Sequence, residues 1–182
     1  MKGLIKGGAV LVVASGLVFG ASGIAGAAST KPKQQSSAKY VKTVCGVYNQ
    51  LIADVNSYET SLGSLDQGDP TSFVPAATTQ TNALLITVRN AETTLKGAYP
   101  KISNGKKVGA LLATNATEID SALTSASGQL QAGGIAGVTQ FVVGIDTLKV
   151  KLSGPFSKVT DQGLINAFQK EKTCKSVVQV TG

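Results

Sequence analysis

One row of apolar residues constrains this chain more than any other feature. Val41, Val44, Tyr48, Leu51, Val55, Tyr58, Leu62 and Leu65 follow one another at steps of 3, 4, 3, 4, 3, 4 and 3. A strand needs alternation, whereas steps averaging 3.5 put every member on one stripe of a helix. Cys45 and Ile52 lie one position further on and widen the stripe. Asp66-Gln67-Gly68-Asp69-Pro70 then supplies turn chemistry that stops the helix.

The same grammar recurs. With Ser72 to Pro75 read as a connector, a second seam starts at Ala77 and runs through Thr81, Leu84, Val88, Ala91, Leu95 and Ala98. Its residues are small, which permits close approach by a neighbour. Tyr99-Pro100 ends it, because proline disfavours helix in the residue before it, and Ser103-Asn104-Gly105 makes a turn. The third seam is Val108, Leu112, Ala116, Ile119, Leu123, Ala126 and Leu130, broken at Ala132-Gly133-Gly134. The fourth is Val138, Phe141, Ile145, Leu148 and Leu152, closed by Gly154-Pro155. A last segment over 161–175 carries Leu164, Ile165 and Phe168, with Asp161 as its N-cap and Lys170, Lys172 and Lys175 at its C-terminal end. The expected fold is all-α, an up-and-down bundle of four to five amphipathic helices.

Residues 1–27 have a different organisation. Lys2 and Lys6 form a positive head, Ala9 to Phe19 an apolar core, and Ala25-Gly26-Ala27 a small-residue cut site. This is the three-part pattern of a secretory signal peptide. An uncleaved anchor is the rival reading, because 7–27 holds no charge. Residues 28–38 are polar and are expected to be a flexible, lysine-containing linker; 39–178 form the bundle and 179–182 a tail. Behind an export signal, the only two cysteines, Cys45 and Cys174, are expected to pair. In composition the chain resembles small Ala/Gly/Thr-rich exported proteins of high-GC Gram-positive bacteria.

Composition excludes much chemistry. Without a single histidine there is no imidazole base and no His-ligated metal or haem. Two cysteines cannot build a four-thiolate site. Ser36 to Lys39 and Ser103 to Lys106 spell S-x-x-K, but the companion S-D-N and K-T-G elements are missing. Gly105-Lys106 lacks the remaining residues of a phosphate-binding loop. Asp54 and Glu59 are five apart, Glu118 and Asp120 two apart, and Asp66 and Asp69 lie in a turn, so none of these pairs is set on one helical face. No catalytic, cofactor-binding or metal residue is expected. The sequon Asn115-Ala116-Thr117 falls in mid-helix and is discounted as a glycosylation site.

A pI near 9.5 invites a nucleic-acid reading. The chain beyond the leader has one arginine, few aromatics and an export address, all of which argue against it. Lys31, Lys33, Lys39 and Lys42 all precede the first acid, Asp54. They are the expected attachment to anionic cell-wall polymers or a membrane surface. Tyr48 and Tyr58, seven apart on the first seam, either line a ligand cavity between helices or pack with their hydroxyls at the rim. The expected function is a monomeric, exported, non-enzymatic protein of the envelope or medium with a binding or structural role. The alternative is a carrier of a small apolar ligand in the bundle core, and the third an enzyme working without histidine.

Overall fold

The computed structural model describes residues 31–131, 133–153 and 156–175. The expected leader at 1–27 and tail at 179–182 lie outside the described residues. Five helices pack against one another around one continuous apolar core. In chain order the elements are strand β1 (Lys33–Gln35), α1 (Ser37–Gly63), α2 (Pro70–Lys96), β2 (Ala98–Pro100), α3 (Gly105–Gln131), α4 (Gly134–Ser153) and α5 (Gln162–Lys170). Short 3-10 turns, Phe156–Lys158 and Lys172–Cys174, flank α5.

The four seams are the core. Val41, Val44, Cys45, Tyr48, Leu51 and Val55 of α1 are at most 1% exposed, as are Leu112, Ile119 and Leu130 of α3 and Phe141 and Leu148 of α4. Burying each large side chain contributes roughly 1.5–3 kcal/mol. Val142 and Val143 favour strands by propensity, yet both lie in α4, where Phe141, Ile145 and Leu148 anchor the 3/4 stripe. Phe73 of α2 meets Phe141 edge to face at 6.2 Å, joining α2 to α4. The α3–α4 connection turns on Gly133 and Gly134, whose φ values of 88° and 67° place them in the left-handed region. Glycine enters that region without the cost that a Cβ brings.

The ends of elements differ from the sequence reading in instructive ways. α2 begins at Pro70, not after Pro75. Asp69 caps it by accepting a hydrogen bond from the Thr71 N–H at 3.0 Å, and Pro70 stands where a missing N–H costs nothing. Pro75 falls early in the helix and removes one backbone bond, which the burial of Phe73 offsets. Leu65 lies beyond the end of α1 and is half-buried on the core. Asp161 caps α5 as expected, accepting from the Leu164 N–H at 2.8 Å. The segment then breaks after Lys170 into its 3-10 turn.

The expected flexible linker at 28–38 is corrected over its described part. Lys33–Gln35 is a strand that pairs in parallel with Ala98–Pro100, in the register Lys33↔Ala98, Gln34↔Tyr99 and Gln35↔Pro100. The Lys33 N–H donates to the Gly97 carbonyl at 2.9 Å and the Lys101 N–H to the Gln35 carbonyl at 2.7 Å. Backbone hydrogen bonds, which ask nothing of side-chain polarity, order this stretch. Ser36 then caps α1, its Oγ accepting from the Lys39 N–H. Ala98, the last member of the second seam, belongs to β2 and is buried there.

Cys45 of α1 and Cys174 form the expected disulfide. Beside it, α5 docks on α1 through an aromatic relay. Tyr48 meets Phe156 at 4.8 Å and Phe156 meets Phe168 at 5.3 Å, both edge to face.

Candidate functional site

A groove of about 830 Å³ opens between the C-terminal turn of α2, strand β2 and one face of α3. Its floor is made by Ala98, Gly109, Ala110 and Ala113, with Thr114 and Thr117 further along the same face. This face of α3 is small because the backbone of β2 lies against it. A Cβ on Gly109 would come within 2.9 Å of Tyr99 Cβ, and one on Gly105 would collide with the Pro100 carbonyl oxygen. Only glycine allows this approach.

Lysines rim the groove. Lys106 stands over the Tyr99 ring, with Nζ 5.9 Å from its centroid. Lys96 closes the α2 side and bonds Glu92 Oε1 at 2.5 Å. Lys31 and Pro32 also line it, next to that end of α2. The parallel register explains their position: with Lys33 beside Ala98, the residues leading into β1 run beside the end of α2. Glu92 also accepts from Thr117 Oγ1 at 2.5 Å. The Lys96 ammonium first, and the Thr117 hydroxyl second, hold its carboxyl below the usual glutamate range. The Thr114 hydroxyl donates to the Ala110 carbonyl of its own helix. Both threonine protons are therefore used internally, which leaves the lysine ammonium groups and the Tyr99 hydroxyl as the other side-chain donors among the lining residues.

Of the four lysines singled out from sequence, only Lys31 lines this groove. Lys33 is exposed on β1, and Lys39 and Lys42 are exposed on the first turns of α1. Lys42 faces away toward Glu171, adding to the Thr173 hydrogen bonds that lower that carboxyl. The four do not form one floppy cluster; β1 and α1 spread them over a fixed surface. Sequence reading missed Lys96, Lys106 and the small-residue floor. Ala98 and Ala91 signalled close approach, but not which side of it stays open.

The tyrosines are corrected. Tyr48 is fully buried and its hydroxyl donates to the Leu112 carbonyl at 3.1 Å. Burial drives that hydroxyl well above the usual phenol range, opposed in part by the neighbouring Asn115 amide, whose nitrogen lies close without completing a hydrogen bond. Tyr58 Oη lies 2.7 Å from Thr81 Oγ1. Thr81 commits its single proton to the Ala77 carbonyl at 2.7 Å, so Tyr58 is the donor. Burial pushes Tyr58 up to about 12, again moderated by its hydroxyl partner. Tyr58 borders a cavity of about 230 Å³ between α1 and α2, below the usual range for a ligand site. Both side chains brace helices, and their hydroxyls point into the core, not to its rim.

The remaining motifs have structural roles. Ser36 of the first S-x-x-K is the α1 cap, and Ser103 of the second sits in the turn before α3. Asn115 of the sequon is 7% exposed. Among the described residues no cluster of three potential metal ligands occurs, and no helix is long and apolar enough to cross a membrane. Comparison with protein-family models, curated proteins and solved structures finds no match.

Proposed function

We propose that this chain is an exported, non-enzymatic helical-bundle protein of the bacterial cell envelope or medium that acts by binding, presenting its lysine-rich end to anionic partners. The groove between β2 and α3, with Lys31, Lys96 and Lys106 on its rim, is the observation that carries this reading. The leader pattern at 1–27 supports export. The Cys45–Cys174 bridge fits an oxidising compartment. Anionic wall polymers and the outer face of the membrane are the surfaces such a protein meets first. Attraction to them is screened by salt over about 8–10 Å.

The test is partitioning. Replacing Lys31, Lys33, Lys39 and Lys106 by Gln is expected to move the protein from the wall fraction to the medium at low salt. The melting temperature stays nearly unchanged, because all four side chains are exposed. Equal partitioning of wild type and variant at every salt concentration overturns the proposal.

A further inference from the structure

Charge alone does not account for the groove. A ligand made only of charges, such as a wall polymer, needs rim lysines but has no use for an apolar floor. Here the floor is Ala98, Gly109, Ala110 and Ala113, and the Tyr99 ring stands beside it. Ala110 is exposed to solvent on this face. The groove follows α3 from Lys106 to Thr117, about three turns or roughly 17 Å at 1.5 Å per residue. Its volume of about 830 Å³ lies in the range of small-molecule sites. Extended along α3, apolar below and cationic at the edge, it matches one ligand shape: an alkyl chain bearing an anionic head.

We propose that the groove binds a single-chain anionic amphiphile, a long-chain fatty-acid carboxylate, with its chain along α3 and its carboxylate met by the rim lysines. This rests on the binding function proposed above and names the ligand class of the same site. Lys31 and Lys106 carry no ion-pair partner among the described residues, so they are the ammonium groups free to receive the head. Lys96 is already bound to Glu92. The internal bonds of Thr114 and Thr117 leave neither threonine proton for a neutral polar head. A cationic head would meet like charge.

The probe is myristate, added below its micelle concentration to the protein purified from the medium. Binding is read by native mass spectrometry and by displacement of a dansyl-labelled fatty acid. One myristate per chain is expected. Binding should persist in salt that strips the protein from cell walls, because burial of the alkyl chain is not screened. Ala110→Phe and, independently, Thr114→Phe fill the groove from exposed positions and are expected to weaken binding at least about tenfold, the equivalent of burying two fewer methylenes. Lys31→Gln and Lys106→Gln are each expected to weaken it about two- to fivefold, as exposed ion pairs do. The trimethylammonium amphiphile of equal chain length should bind at least about tenfold more weakly than myristate, since its head meets like charge.

No myristate binding, alongside lysine-dependent wall partitioning, overturns this inference and leaves the proposed function standing. Absence of both overturns both. Equal affinity for the cationic amphiphile, or affinity untouched by both groove-filling variants when their melting curves match wild type, places the ligand elsewhere and overturns the inference.

Discussion

Cys45 sits in the third turn of α1, and Cys174, its partner, lies 129 residues on. Closing a loop of that size is worth about 5 kcal/mol in the chain-entropy account, nearly all of it through the unfolded state. The folded protein has other means of holding its C-terminal segment in place. Leu164 is fully buried and Phe168 is 5% exposed, and the Tyr48–Phe156–Phe168 relay remains without the bridge. Asn49 also donates to the Thr173 carbonyl. Reduction is therefore expected to leave the helical circular-dichroism spectrum at 25 °C unchanged while lowering the melting temperature by roughly 10–20 °C, at about 2–4 °C per kcal/mol for a domain of this size. Both sulfurs are fully buried, so alanine is the cleaner replacement; serine would add an unsatisfied hydroxyl costing about 1–3 kcal/mol. Cys45→Ala, Cys174→Ala and the double variant should melt within a few degrees of the reduced wild type. A shift below about 3 °C would refute the entropic reasoning. Loss of helix at 25 °C on reduction would refute it differently, by showing that the bridge holds the native segment in place.

Other consequences can be checked by urea denaturation. Gly105→Ala forces β2 away from α3 and is expected to cost at least about 2 kcal/mol, whereas Gly128→Ala, with nothing within 4 Å of the new Cβ on the same helix, should stabilise by up to about 1 kcal/mol. Tyr58→Phe removes a hydrogen bond to Thr81 and should cost about 1 kcal/mol. Tyr40→Phe removes a buried hydroxyl that has no hydrogen-bond partner among the described residues, and should be neutral or stabilising. Glu92 has a folded pKa below its ordinary 4.5; the stability it contributes is full above the unfolded value and is lost as pH falls through the folded one. Stability profiles of wild type and Glu92→Gln should therefore converge as pH falls through that lowered folded value, and parallel profiles would contradict the Glu92 assignment.

What the sequence made legible was whatever one helix can encode by itself. The four seams name the buried stripe of each long helix, because a 3/4 step depends only on local geometry. The Asp161 cap is likewise a local signal. Strand β1 was not legible: Lys33-Gln34-Gln35 has no strand propensity, and its partner lies beyond two full helices. Asp69-Pro70 carries the chemistry of a helix start and of a helix end alike, since turn and cap residues are the same residues. The groove was hidden for a related reason. Its walls come from four separate stretches of chain, and lysines read as solvated charges acquire a common edge only when β1 pairs with β2.

That pairing and the disulfide share a property: both tie down α1 using residues made much later. Lys33 finds Ala98 only after α1 and α2 have been delivered, and Cys45 finds Cys174 only when nearly the whole chain is present. The four long helices follow one another through short connections and can collapse as successive hairpins, whereas the bridge waits for the C-terminal segment. Under the export proposed above, N-terminus first, the helix that emerges earliest is thus covalently secured last. Throughout that interval the Cys45 thiol lacks its native partner, and a wrong partner for it, such as the same cysteine of a second copy, would trap α1 outside its own bundle.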